Sequence, residues 1–268
     1  MRRAAALLFA FVLFASAVPA SASAAGPVVA LPVPYRSQLD GNPYEESDCG
    51  PATMAMILQA YGKVMPTMAV RLYVNDVQGT PGMYDAGSFI ESLDAVAWHW
   101  GLRPQDLFSG GRDAKGKPEL RRWTFEDVKR HLDAGHPIVP QVWYRGLPGR
   151  EKKPYGGDHY IVLTGYGDEG VIYNDPIDKD VPGANRRMSW AQLDKAWRNS
   201  DFPYAALAVA GSAERPSLLA PAPRPVVVKP TVTPTTLLRP APRPLPGPGE
   251  MPLATFPGTW TPSLAGAD

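Results

Sequence analysis

The sequence predicts an α+β fold, and three observations predict it. The 268 residues are 44% hydrophobic and 20% charged, ordinary proportions for a chain with a globular core. Apolar residues at helical spacing come first, between residues 51 and 134, several of the runs ending at a Gly. Short segments rich in Val, Ile, Leu and Tyr follow, two of them joined by a hairpin-like loop, so the sheet should be mostly antiparallel.

Residues 1–25 read as a secretory signal. Arg2 and Arg3 form the charged start, Ala4 to Val18 the apolar run, and Ala20-Ser21-Ala22 or Ala22-Ser23-Ala24 the small-residue cleavage site. The apolar run is shorter than the roughly 20 residues of a membrane helix. The expected product is therefore secreted, extracellular or envelope-associated, with no membrane contact after cleavage. No Cys stands near the cleavage site to carry a lipid.

The body spans residues 26–211. Pro51 to Tyr61 predicts a helix rich in Ala, Met, Ile and Leu, with Met54, Met56 and Ile57 in the core and Gly62 as the stop. Thr67 to Val74 predicts a second, short helix. Ser88 to Trp100 predicts a third, with Phe89, Leu93, Val96 and Trp100 on its apolar face and Gly101 at its end. The segment from Ser109 to Arg122 is polar and Gly-rich and reads as a mobile loop able to flank a cleft. Thr124 to Ala134 predicts a fourth helix, with Thr124 as cap, Asp127 at the box position and Gly135 as terminator. Strands are expected at Pro137 to Tyr144, His159 to Tyr166 and Val171 to Asn174. A Ser-x-x-Gln box opens a last helix over Ser189 to Trp197, and Tyr204 to Ala210 is a last strand. Residues 212–268 hold 14 of the 31 prolines. Pro fixes φ and lacks an amide donor, so this stretch reads as an extended, disordered tail. A tether to cell-wall material is its functional reading.

The formal charge of +1 becomes about −1 once the first 25 residues are removed, so charge makes no case for nucleic acid or an anionic membrane. A single Cys forbids an internal disulfide and argues against a Cys-based zinc site. The four His are far apart, with no His-x-His or His-Glu-x-x-His spacing, so no metal or other cofactor is expected. Asp175, Asp178 and Asp180 read as a solvated acidic turn. A monomer is expected.

The one Cys stands in Ser47-Asp48-Cys49-Gly50-Pro51. Pro51 suits a first helical turn, which puts the thiol at a helix N-terminus, where the partial positive charge favours thiolate. Thiolate is the nucleophilic form. Of the four His, His99, His131 and His136 read as structural or solvated. His159 opens a strand directly after Gly156-Gly157-Asp158 and can face a cleft. An imidazole base needs a third group to fix its tautomer. A hairpin through Gly167 to Gly170 would bring Asn174 and Asp175 beside His159, and alternation of faces lets only one of them reach it. Asp175 is preferred. A developing oxyanion could use the Cys49 N–H and the side-chain amide of Gln38 in Val33-Pro34-Tyr35-Arg36-Ser37-Gln38. Trp143 and Tyr144 read either as lining the substrate cleft or as core or rim packing.

VPYRSQ, DCGPATMAMILQAYG, GGDHYIVLTGYG, YNDP and MSWAQLDKAW occur in this order between Leu31 and Ala210. The ordered set resembles the cysteine peptidases of family thirty-nine, specifically a stand-alone secreted branch of the double-glycine leader peptidases. The resemblance implies a papain-like fold and a peptide or protein substrate. It also implies Cys49 as nucleophile, His159 as general base and acid, Asp175 as orienter and Gln38 in the oxyanion hole. No Gly-x-x-x-x-Gly-Lys-Ser/Thr loop occurs, so leader cleavage coupled to nucleotide-driven export is not implied. A non-catalytic binding domain on the same scaffold and a peptidoglycan endopeptidase or amidase are the alternative readings.

Overall fold

The computed structural model describes residues 29–112, 118–120, 122–178 and 183–219. The signal-like segment, Asp180 and the Pro-rich segment from residue 220 onward lie outside them. The described chain is α+β: a Cys-bearing helix packs against an antiparallel sheet that carries His159 and leads into Asp175.

The chain enters through strand β1 (Val29–Ala30). Helices α1 (Cys49–Ala60), α2 (Thr67–Val77) and α3 (Ile90–His99) follow. Every residue of α1 from Gly50 to Leu58 is buried, as expected of a helix apolar on all sides. It lies between α2 and α3 and the strand that bears His159. Gly62 takes φ +82 immediately past α1, the left-handed conformation that lets a helix end there. Phe89 is not on the buried face of α3; it is the N-cap and is exposed.

Strands β2 (Arg103–Gln105), β3 (Phe108–Arg112) and β4 (Pro118–Leu120) come next. The last two pair as a ribbon within the segment that composition marks as loop, because backbone pairing needs no apolar alternation. Helix α4 (Phe125–Asp133) opens on a capping box in which Thr124 accepts from the Asp127 amide and Asp127 from the Thr124 amide. After β5 (Ile138–Trp143), the expected strand from His159 is broken at Ile161 into β6 (Asp158–Tyr160) and β7 (Val162–Gly167). β8 (Gly170–Asn174), β9 (Arg186–Ser189), α5 (Trp190–Arg198) and β10 (Ala206–Ala210) complete the order. The sheet runs β2-β10-β5-β7-β8-β9, with β1 beside β7 and β6 beside β5, all antiparallel. β2 and β9 show no strand pattern in sequence; their partners, β10 and β8, impose the conformation.

Beyond β10 the chain folds back. The Leu218 amide donates to the Gly135 carbonyl at 3.0 Å, and the Leu218 side chain is buried. Among the described residues no helix is long and apolar enough to cross a membrane.

Candidate active site

Cys49 is the first residue of α1 and is partly buried. Helix-start amides lack intrahelical acceptors, so the Cys49 thiol and its own N–H share a region of partial positive charge. Two features lock this turn. A Cβ on Gly50 would come within 2.9 Å of the Ser88 Cβ, so only glycine lets the α2–α3 connection close on the helix start. Asp48 forms a fully buried ion pair with Arg71 at 2.5 Å, and Arg71 also donates to the carbonyls of Ala86 (3.0 Å) and Ser47.

His159 sits on β6, paired with Val142 of β5. That strand is anchored on one side by Asp158, whose carboxylate accepts from Gln141 Nε2 at 2.7 Å. On the other side, Thr53 Oγ1 of α1 donates to the Tyr160 carbonyl at 3.5 Å. The strand thereby presents His159 to the start of α1. His159 Nε2 lies 2.8 Å from Asp175 Oδ1 and both side chains are buried. With Nε2 on Asp175, Nδ1 is the ring nitrogen left for the Cys49 thiol, whose charge acts on the ring.

The β7–β8 hairpin brings Asp175 there. Its register pairs Gly167 with Gly170 and Val162 with Asn174, so residue 175 lies just past the paired end, beside β6. Asn174 points the other way, donating to the Val33 carbonyl and accepting from the Asn185 amide. Asp175 N donates to the Gly183 carbonyl at 2.8 Å. A Cβ on Gly183 would fall 1.9 Å from the Asp175 carbonyl oxygen, so the loop closes on this residue only because it is glycine.

Electrostatics follow from this packing. For Cys49, burial pushes the thiol up, but the hydrogen bond and charge of His159, the Tyr160 amide and the Arg71 cation together hold it below its ordinary value. For His159, burial disfavours the imidazolium, yet Asp175 and the Cys49 thiolate outweigh it and push the ring up to about 9. Burial likewise opposes the Asp175 carboxylate, while His159 and Arg150 draw its pKa down to about 2. The three shifts share one cause: each charge is compensated by the next, and the thiol and imidazole titrate as a pair.

Gln38 is buried in the segment preceding the 3-10 turn Glu45–Ser47 that leads into Cys49. Its Nε2 donates to the Glu45 carbonyl at 2.8 Å and, more weakly, to that of Glu46 at 3.4 Å. Its backbone N–H donates to the Pro176 carbonyl at 2.7 Å, tying this segment to the Asp175 loop.

Further side chains complete the site, and two of them, Arg150 and Arg71, are not among the sequence-predicted site residues. Arg150 is buried and donates to Asp175 Oδ2 at 2.9 Å and to Asp178. Asp175 and Asp178 are therefore not solvated: both are neutralised by Arg150, and Asp178 also by Arg186 at 2.5 Å. Tyr144 is buried, as the core reading has it, and its ring stands edge-on to His159 with centroids 5.2 Å apart. Trp143 donates through Nε1 to the Gly156 carbonyl at 2.8 Å. Arg71 did leave a signal, since Thr67, Val70, Arg71 and Val74 fall on one helical face and a charge there must be paired. The remaining His are apart from the site: His99 stacks on Tyr73, and His131 stacks on Trp123 and bonds Asp106. Among the described residues no group of three His, Cys, Asp or Glu is placed to hold a metal.

A model of the Peptidase_C39 like family matches residues 30–204. The solved structures that the chain resembles include three peptidases. A putative C39-like peptidase from Bacillus anthracis is 19% identical, with TM-score 0.47, covering 68% of this chain and 96% of its own. The peptidase domain of Streptococcus ComA, a bifunctional ABC transporter of a quorum-sensing pathway, is 19% identical, with TM-score 0.42, covering 67% and 99%. A double glycine motif protease from an AMS/PCAT transporter, in complex with its leader peptide, is 18% identical, with TM-score 0.38, covering 69% and 96%. No curated protein matches the sequence. The family match spans well over half of the chain, from β1 to the residues before β10, and encloses the whole Cys–His–Asp site: the chain belongs to the Peptidase_C39 like family.

Proposed function

We propose that this protein is a secreted cysteine peptidase that hydrolyses peptide bonds through a Cys49–His159–Asp175 triad. The observation that carries the reading is His159 placed between the Cys49 thiol and a buried carboxylate 2.8 Å from Nε2. The Cys49 thiolate attacks the carbonyl carbon of the scissile bond, and the oxyanion that forms is met by the Cys49 N–H. The family resemblance assigns the second donor to Gln38, whose Nε2 here bonds the Glu45 and Glu46 carbonyls and would have to exchange one of them for the oxyanion. The His159 imidazolium gives its Nδ1 proton to the leaving nitrogen as the C–N bond breaks, which leaves a thioester and an amine. Water then attacks the thioester, with neutral His159 taking a proton, and the acid leaves as the thiolate–imidazolium pair re-forms. The charged start, apolar run and small-residue site of residues 1–25 support export.

The test is incubation of residues 26–268 with a mixture of peptides, followed by mass spectrometry of both peptides and protein. New termini at amide bonds are expected, together with a transient adduct on Cys49 of acyl mass less one hydrogen. Fast thiol chemistry without any cleaved amide would instead leave a binding domain on a peptidase scaffold.

A further inference from the structure

Arg150 lies in Leu147-Pro148-Gly149-Arg150-Glu151-Lys152-Lys153, whose other charged residues are exposed. Its side chain alone turns inward, reaching two carboxylates on the far side of the site. One guanidinium nitrogen, Nη2, donates to Asp175 Oδ2 at 2.9 Å and also to Asp178 Oδ1. Its Cζ lies 5.6 Å from the centroid of the Tyr144 ring, and that ring stands edge-on to His159. Arg150 thus touches the orienting carboxylate directly and the imidazole through one aromatic ring.

Building on the triad reading above, we propose that Arg150 is a positioning residue, which holds the Asp175 carboxylate aimed at His159 Nε2. Asp175 has two oxygens with separate duties. Oδ1 receives His159 and the Ile177 amide (3.2 Å), and Oδ2 receives Arg150. A carboxylate held at both oxygens cannot rotate away from the ring. Asp178 fixes Arg150 in turn, since its own Oδ2 is held by Arg186 of β9 and its carbonyl by the Tyr35 hydroxyl at 2.6 Å. Tyr35 belongs to the segment that carries Gln38, so the loop from Asp175 to Asp178 couples both halves of the site.

Removing Arg150 alone would leave Asp175 and Asp178 facing each other without the cation they share, Arg186 remaining on Asp178 and His159 on Asp175. They would bind a proton or swing apart, and either event takes Asp175 from His159. Among the charged neighbours of this cluster, Arg186 stays on Asp178, and Tyr173 and Tyr144 are neutral at working pH, their phenols raised by burial. The imidazolium would lose its compensation and the Cys49 thiolate would be protonated more readily. The acid limb of Cys49 reactivity should therefore move upward.

The experiment follows alkylation of Cys49 by iodoacetamide across pH 4 to 9, by intact mass, in wild type, Arg150→Gln, Arg150→Lys and the double variant Arg150→Gln/Asp178→Asn. The double variant removes one cation and one anion together, so it leaves the net charge unchanged and tests position rather than field. Expected are labelling about tenfold slower near pH 5 for Arg150→Gln, equivalent to one pKa unit, a slowing of the same sign for the double variant, and partial rescue by Arg150→Lys. If Arg150→Gln fails to fold, the double variant decides. A profile that superimposes on wild type, in whichever of these two variants folds, overturns the role of Arg150 while leaving the triad standing. A wild-type profile that already follows an ordinary thiol overturns the triad, and this inference with it.

Discussion

Cys49→Ala is expected to lose peptide cleavage by about 10⁴-fold or more, because no other group on the path can form the thioester, and only general binding and oxyanion stabilisation remain. The same variant should fold normally. Cys49 is partly buried at a helix start, where Ala is accommodated, and the Asp48–Arg71 pair and the Gly50–Ser88 contact that shape this turn do not involve the thiol. The removed sulfur costs at most about 1 kcal/mol, the low end of core truncations. Circular dichroism, thermal unfolding and peptide cleavage measured on one preparation check both halves. Cleavage retained in a correctly folded Cys49→Ala protein would contradict the mechanism.

Asp175→Ala is the second large effect, and it should appear in stability as well as rate. The carboxylate is buried and bonded to His159 and Arg150, so its loss leaves two buried cationic groups with reduced compensation. Breaking a buried pair from one side costs about 3–5 kcal/mol, and loss of the orienter should slow cleavage by about 10⁴-fold. The pH dependence follows from the same contacts. The Asp175 pKa drops from the usual 3.8 to about 2, so its stabilisation is complete above pH 4 and lost as pH falls through 2. The His159 pKa rises from 6.5 to about 9, so its stabilisation is complete below 6.5 and lost as pH rises through 9. Urea unfolding of wild type should show a plateau between these limits. In Asp175→Ala, the acid-side loss from residue 175 disappears and the alkaline loss from His159 shrinks. A variant with unchanged stability at pH 6 would contradict this account of the buried pair.

What the sequence revealed was mostly local. Thr124 with Asp127 and Ser189 with Gln192 announce the starts of α4 and α5, because a capping box is a contact within four residues. The Gly167–Gly170 hairpin and the alternation through Val171-Ile172-Tyr173-Asn174 place Asp175 near His159 because a two-residue turn fixes register. Arg150 was hidden for the opposite reason. In a run with Glu151, Lys152 and Lys153 it looks like one more solvated charge, and only Asp175 and Asp178, some 25 residues on, draw it inward. Asp175 and Asp178 look solvated in sequence for want of that partner. β2 and β9 were invisible because Arg103-Pro104-Gln105 and Arg186-Arg187-Met188-Ser189 are strands only through their neighbours. Tyr144 sits just past β5, in a 3-10 turn that breaks strand alternation and turns the ring inward onto His159.

The central claim is that Cys49 and His159 form a working thiolate–imidazolium pair, and the rate of Cys49 alkylation against pH in wild type and His159→Ala tests it most directly. Because the chain has one Cys, intact mass reports a single event. The account predicts fast labelling in wild type that persists well below pH 7 and is lost in His159→Ala, whose thiol should titrate near the ordinary 8.5 or above. Wild-type labelling that rises only through that ordinary thiol range, with the His159→Ala profile superimposed on it, would contradict the claim.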